Sequence, residues 1–215
     1  MVNFDEKFRN VYFALRHGTS IPNLNHTIIS SPQCGISAEN GLAEEGKKQA
    51  EQLDLTPVLI QANAVQKIYI ISSDFSRAYQ TALIVHQQLF NSNLIQKNQS
   101  LLCESVLKRE ELRERFFGTF EGTSSDHYEL VWKEDAKDAH HEMNQVESVY
   151  HVAQRVQQLV NELESVYDNC VFILVSHGDT LQIMQAHCFS NNNHPISQHR
   201  TLRHLNTCEL RLLNH

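Results

Sequence analysis

Two apolar runs far apart in the chain end in the same pair of residues. Val11-Tyr12-Phe13-Ala14-Leu15 leads into Arg16-His17-Gly18, and Val171-Phe172-Ile173-Leu174-Val175 leads into Ser176-His177-Gly178. A short, unbroken apolar run closed by glycine reads as a strand buried on both faces, as in a parallel sheet. If the two strands share one sheet, two imidazoles and a guanidinium meet at its carboxyl edge, where open α/β sheets bind their ligands. Such a cluster suits phosphate, with a histidine as nucleophile.

The rest of the chain alternates between the two periodicities. Strands are expected at 10–15, 68–72, 102–107, 171–176 and 207–213, and helices at 40–54, 75–90, 146–166 and 179–189. Strands separated by helices imply parallel crossovers and a layered α/β architecture. The helix over 146–166 has the clearest stripe: Val146, Val149, Tyr150, Ala153, Val156, Leu159, Val160 and Leu163 recur at three- and four-residue steps. Asn144 and Glu147 have the spacing of an N-cap and its capping-box partner. Phe75, Ala78, Tyr79, Ala82, Val85 and Leu89 form a second stripe, with Ser73 or Asp74 placed to cap it. The polar stretches 19–39 and 118–142 follow candidate site residues, and long loops of that kind usually carry function. No internal repeat or composition shift divides the chain, and the Asn191–Asn193 run reads as a surface loop, so 1–215 is expected to form one domain.

Composition narrows the functional classes. The net charge of −7 lacks the basic clusters of a nucleic-acid surface. It also requires any anion site to be built from a few local cations. Five widely spaced cysteines without a CxxC pair indicate neither a zinc knuckle nor a disulfide framework, and Cys170 and Cys208 sit at or beside strand patterns as buried thiols do. Met1–Asn10 lacks the apolar core of a signal peptide, and no run is long enough to span a membrane. A reducing cytoplasm is the expected compartment.

Four segments carry the candidate chemistry: Arg16-His17-Gly18, residues 72–82, residues 111–122, and Ser176-His177-Gly178-Asp179. Arg77 falls in the first turn of an expected helix, where the macrodipole disfavours a cation unless an anion binds there. On position alone it reads equally well as a solvated surface arginine. A strand-end histidine is usually satisfied by backbone carbonyls; two in matching context beside Arg16 and Arg77 favour a site. His17 is the better nucleophile because Arg16 beside it can hold a phosphoryl group. His177 would then serve the phosphoryl oxygens. In the charged stretch 108–115, Glu110 and Glu111 read as a solvated face. Glu114 is modestly preferred as general acid, because Phe116, Phe117 and Gly118 follow it and apolar surroundings raise a carboxyl pKa.

Taken together, these segments resemble the histidine phosphatase superfamily, also called phosphoglycerate mutase-like. Arg16-His17-Gly18 matches its first motif, with Ser20 and Asn23 where the family often places phosphate-loop contacts. Leu42, Gly46, Gln49 and Ala50 resemble its following helix start. Ser72-Ser73-Asp74 with Arg77, Gln80, Thr81 and Ala82 resembles its second motif, Leu112-Arg113-Glu114-Arg115 with Gly118 its acid segment, and Ser176-His177-Gly178 its last. The resemblance runs from about residue 10 to 185. It implies a three-layer α/β/α fold around a central, mostly parallel sheet. It also implies Arg16, Arg77 and His177 as phosphate ligands, His17 as the phosphorylated nucleophile, Glu114 as proton donor, and no metal or organic cofactor. Thr19 stands where glutamate is frequent and Ala43 where threonine is usual; neither is a core catalytic position.

The expected activity is hydrolysis of a small phosphate monoester, its partner a small phosphorylated metabolite. A mutase is the first alternative. Against it, the chain between Glu114 and His177 contains only Arg115, Lys133, Lys137 and Arg155 as lysines and arginines, too few to enclose a bisphosphorylated intermediate. A non-catalytic phospho-ligand module is the second, and it would be expected to have lost the nucleophile or the acid. The thirteen histidines, His140, His141, His187, His194, His199 and His204 among them, show no metal-ligand spacing. Asp179 reads as a helix cap, Gln182 and Arg200 as surface or packing residues, and Tyr128 and Trp132 as core aromatics.

Overall fold

The computed structural model describes residues 8–190 and 194–214. The expected Asn191–Asn193 loop and the first seven residues of the N-terminal segment lie outside them. Five strands form one sheet in the order β3-β2-β4-β1-β5. They are β1 (Val11–Arg16), β2 (Lys67–Ser72), β3 (Leu107–Lys108), β4 (Cys170–Ser176) and β5 (Leu210–Leu212). All neighbouring pairs are parallel except β1 with β5. The helices are α1 (Ile21–Leu24), α2 (Pro32–Ile36), α3 (Glu44–Glu51), α4 (Thr56–Ala62), α5 (Ser76–Phe90), α6 (Asn93–Lys97), α7 (Tyr128–Asp135), α8 (Val149–Val166) and α9 (Gly178–Met184).

Strand alternation divides the core into two layers. Phe13, Leu15, Ile68, Ile70, Val171, Ile173 and Val175 pack against α4, α5 and α6 on one face. Tyr12, Ala14, Phe172 and Leu174 pack against Val156, Leu159, Val160 and Leu163 of α8 and Leu181 and Met184 of α9 on the other. The result is the expected three-layer α/β/α arrangement. Every residue of β4 is buried, which explains why its sequence lacks polar alternation.

Register places the site. Val11 pairs with Val171 and Arg16 with Ser176, so both strands end at the same level, and the His17 amide donates to the Ser176 carbonyl at 3.0 Å. The following loop is fixed by close backbone approach. A Cβ on Gly18 would lie 2.5 Å from the Gly46 oxygen, and one on Gly46 would lie 2.0 Å from the Thr19 oxygen. Gln49 accepts from the Thr19 amide at 2.9 Å and Gln80 from the Leu42 amide at 2.7 Å. Both glutamines, noted in the sequence as motif positions, tie this loop to α3 and α5.

Several local expectations are corrected. The strand expected at 102–107 is reduced to Leu107–Lys108: Leu102 bridges Ile68, then exposed Glu104 and Ser105 carry the chain away before it rejoins β2. The expected helix at 40–54 is shorter, because Ala38–Asn40 forms a separate 3-10 turn. Helix α8 is capped by Ser148, whose hydroxyl accepts from the His151 amide, whereas Asn144 lies outside it at φ 58°. Val146 precedes α8 and packs with Ile28, Phe117 and Val131, and Tyr150 faces solvent. Phe75 occupies the N-cap of α5; Ser73 accepts from the Phe75 amide and Asp74 pairs with Arg113. Glu111, expected to be solvated, is half-buried against Arg109. Cys170 and Cys208 are buried and free. No helix among the described residues is long and apolar enough to cross a membrane.

Candidate active site

Beyond the carboxyl ends of β1 and β4 lies a cavity of about 150 Å³. Six of the seven sequence-predicted site residues line it: Arg16, His17, Ser20, Asn23, Arg77 and Glu114. The seventh, His177, lies just beneath, fully buried, with its ring centroid 5.1 Å from that of His17.

The His17 ring is fixed by a 2.8 Å contact between Nδ1 and the Gly18 carbonyl. Because a carbonyl only accepts, Nδ1 carries the proton and Nε2 keeps its lone pair. Arg77 Nε donates to that Nε2 at 3.2 Å, and Arg77 Nη2 to the Ile29 carbonyl at 3.0 Å. Burial, followed by the charges of Arg77 and Arg16, holds His17 well below the ordinary imidazole range. The ring is therefore neutral at neutral pH.

Ser73 holds His177. Its hydroxyl accepts from the Phe75 amide and lies 3.0 Å from His177 Nε2. That contact engages Nε2 and leaves Nδ1 of His177 as the ring nitrogen without a partner among the described residues. Three buried nitrogens in this corner lack a hydrogen-bond partner among the described residues: His177 Nδ1, Arg16 Nε and Arg77 Nη1. Buried donors are normally paired. Three unpaired nitrogens beside His17 Nε2, itself contacted by Arg77 Nε, are chemically suited to the oxygens of a tetrahedral oxyanion.

Two carboxyls face the same cavity in contrasting surroundings. Glu114 Oε1 accepts from the Arg115 amide at 3.0 Å and the Thr180 amide at 3.3 Å, and lies 3.2 Å from the Thr180 hydroxyl, which donates to the Arg113 carbonyl at 2.8 Å. Burial, then the negative charge of Asp179, raises its pKa despite Arg77. Burial also disfavours charge on Asp179, but His199, Arg115 and Arg200 outweigh it and keep that carboxylate ionised. Asp179 is thus no helix cap: it contacts His199 Nε2 at 3.1 Å, Arg115 Nη1 at 3.2 Å and Trp132 Nε1 at 3.2 Å.

The wall contains residues whose sequence context carried little signal. Tyr128 and Trp132, expected as core aromatics, stack at 5.4 Å and line the cavity with Arg200 and His204. Arg200 lies over the Trp132 ring, 3.5 Å from its centroid. His204 Nε2 accepts from Arg16 Nη1 at 2.7 Å, and its Nδ1 faces Gln182 Oε1 at 3.3 Å. Burial, followed by Arg16 and Arg200, lowers His204 to about 4, consistent with a neutral acceptor. The sole tryptophan and the adjoining His199-Arg200 pair were the available clues. Among the described residues, no group of three or more His, Cys, Asp or Glu is placed to hold a metal ion.

The chain belongs to the histidine phosphatase superfamily (branch 1), whose family profile matches residues 12–215. Among solved structures, it is similar to a mycobacterial glucosyl-3-phosphoglycerate phosphatase in complex with VO3. That pair shares 24% identity at a TM-score of 0.69, covering 93% of this chain and 90% of the other. It is also similar to YhfR of Bacillus stearothermophilus, with 19% identity and a TM-score of 0.64, covering 94% and 89% respectively. These likenesses establish a shared fold. No curated protein matches the chain.

Proposed function

We propose that this protein is a phosphatase that hydrolyses a small phosphate monoester through a phosphohistidine on His17. The observation that carries this reading is the trio of unpartnered buried nitrogens, Arg16 Nε, Arg77 Nη1 and His177 Nδ1, beside the lone pair of His17 Nε2. Membership of the superfamily supports it. Phosphoryl oxygens pair with the three nitrogens, and an incoming phosphorus displaces Arg77 from Nε2. His17 Nε2 then attacks phosphorus in line, and the bond from phosphorus to the alcohol oxygen breaks. Glu114, protonated because burial and Asp179 raise its pKa, gives its proton to the departing oxygen. In the second step the Glu114 carboxylate takes a proton from water, whose oxygen attacks the phosphohistidine. Inorganic phosphate leaves and His17 is restored. Ser20 and Asn23 form the near wall: the Ser20 hydroxyl donates to Asn23 Oδ1 at 2.8 Å. This scheme uses only groups of the chain itself, within one domain built on one sheet.

Water is favoured over a second substrate hydroxyl as acceptor because the cations between Glu114 and His177 are engaged elsewhere or exposed. Arg115 is buried on Asp135, Arg155 pairs with Glu147, and Lys133 and Lys137 face solvent. The test is phosphate release from p-nitrophenyl phosphate, 3-phosphoglycerate and sugar phosphates by wild type and His17→Ala, with acid-labile phosphoprotein trapped by rapid quench. Wild type is expected to release phosphate and form the phosphoprotein, and His17→Ala to do neither. Isomer interconversion without phosphate release would instead establish a mutase. Turnover by His17→Ala at the wild-type rate would remove the mechanism.

A further inference from the structure

The guanidinium of Arg16 is held from one side. Nη1 donates to His204 Nε2 at 2.7 Å and to the Leu205 carbonyl at 2.8 Å, which engages both of its N–H groups. Nε and Nη2 form the opposite edge of the planar group, and Nε is buried without a partner among the described residues. Two acceptors on a single nitrogen fix the plane of a guanidinium as well as its place. The edge left over is the fork that takes two oxygens of one phosphate.

His204, which lies past the last of the sequence motifs, is itself fixed. A guanidinium only donates, so Nε2 accepts and the ring proton sits on Nδ1, 3.3 Å from Gln182 Oε1. The Gln182 amide is oriented in turn, its Nε2 donating to the Leu202 carbonyl at 2.7 Å. Arg211 of β5 ties down the backbone, donating to the Arg203 carbonyl at 2.7 Å and to the His204 carbonyl at 3.1 Å. The ring also needs room. A Cβ on Gly178 would lie 3.0 Å from His204 Cε1 and 3.5 Å from Arg16 Cζ, so the glycine of Ser176-His177-Gly178 leaves space for this pair.

The anchor is uncharged, and that matters. Arg16 and Arg77 line one cavity, where burial disfavours the charge of each and their like charges repel. A carboxylate would hold Arg16 equally well but would cancel the charge that a phosphate dianion requires. A neutral imidazole and a carbonyl hold it and leave that charge available. His204 lines the cavity too, yet both of its ring nitrogens are engaged, so it reaches a ligand only through Arg16. Burial, followed by Arg16 and Arg200, lowers the ring to about 4 and keeps it a neutral acceptor.

We propose that His204 is a positioning residue for Arg16: by accepting from Nη1 it turns the Nε–Nη2 edge of the guanidinium toward the bound phosphoryl group. The proposal deepens the phosphatase reading and rests on it for Arg16 as a phosphate ligand.

Isothermal titration of the full chain with inorganic phosphate tests this without turnover. His204→Leu removes the acceptor and should weaken phosphate binding roughly tenfold, the order of one charge-assisted hydrogen bond. His204→Gln brings a side-chain carbonyl near the position of Nε2 and should bind within about threefold of wild type. His204→Asn, one methylene shorter, should behave as His204→Leu does, and it carries the test if His204→Leu fails to fold. In an Arg16→Ala background the same substitutions should change affinity by less than about twofold, because their route to the phosphate is gone. A merely structural role would give the same loss in both backgrounds and no rescue by glutamine. Wild-type affinity in His204→Leu and His204→Asn, an undiminished loss in the Arg16→Ala background, no rescue by His204→Gln, or no phosphate binding by wild type would overturn the proposal. The expected affinity pattern without phosphate release from p-nitrophenyl phosphate would defeat the catalytic reading alone.

Discussion

Replacing Arg115 by methionine tests how the site is supported. The guanidinium is fully buried, bonded to Asp135 at 2.6 and 2.7 Å, to Asp179 at 3.2 Å and to the Glu147 carbonyl at 2.6 Å. Methionine fills similar volume and keeps the contact with Phe117, but it leaves Asp135 to His141 alone and removes one of the partners of Asp179. Breaking a buried ion pair by removing one member costs about 3–5 kcal/mol, because the remaining charge is stranded in a poor solvent. For a chain of this size each kcal/mol lowers Tm by about 2–4 °C, so Arg115→Met should melt about 6–20 °C below wild type. Removing both charges in Arg115→Met/Asp135→Leu should cost less than the sum of the single changes by about 0.5–3 kcal/mol. Urea titration and thermal melts at pH 7 measure all four proteins. A loss under about 1 kcal/mol, or single changes that add within about 0.5 kcal/mol, would refute the reading of Arg115 and Asp135 as a coupled, stabilising buried pair.

Four further outcomes follow from the same geometry. Glu114→Gln should lower kcat on alkyl phosphates roughly a hundred- to ten-thousand-fold. Asp179→Asn, which removes a charge that raises the pKa of Glu114, should move the alkaline limb of kcat/KM to lower pH; an upward or absent shift in the pH–rate profile counts against the acid assignment. The pKa values of His17 and His177 lie well below 6.5 in the fold. The unfolded chain therefore binds more protons as pH falls below 6.5, and stability should drop by about 1.4 kcal/mol per pH unit for each until the folded values are passed. Glu114 titrates with the opposite sign above its ordinary value of 4.5, so Glu114→Gln should steepen the drop in urea midpoint measured between pH 7 and 5. Gly46→Ala drives a Cβ to 2.0 Å from the Thr19 oxygen. It should destabilise the protein by about 1–3 kcal/mol and reduce phosphate release, both lost if chemical denaturation matches wild type.

Legibility in the sequence followed how local each feature is. Strands β1 and β4 were plain because both faces are buried, so an unbroken apolar run records the environment directly. Strand β3 was overread because Leu102 and Leu107 both reach β2 while the residues between them leave it, and local hydrophobicity does not record that departure. The start of α8 was misplaced because Val146 fits its periodicity yet packs with Ile28, Phe117 and Val131. The inner end of the cavity was readable because its residues follow strand ends or open a helix. The mouth was not, since Arg200 and His204 come from irregular segments, and their relation to Trp132 and Arg16 exists only after the chain has closed. The pairing of Asp179 is less local still: its partners Arg115, Trp132 and His199 come from three separate segments of the chain.

That pairing explains how two carboxyls on one cavity acquire opposite tasks in the proposed reaction. Glu114 is met by two amides and, among the described residues, no cation within hydrogen-bond distance, whereas Asp179 is met by Arg115, His199 and an indole N–H. The first environment retains a proton and the second retains a charge. The effects reinforce one another, because the charge on Asp179 favours the proton on Glu114. Arg115 joins them twice: its backbone amide contacts Glu114 and its guanidinium contacts Asp179. A substitution at Arg115 should therefore alter the pH dependence as well as the stability. Removal of its charge leaves Asp179 less compensated, which strengthens that anion's push on Glu114 and shifts the alkaline limb upward, opposite in direction to Asp179→Asn.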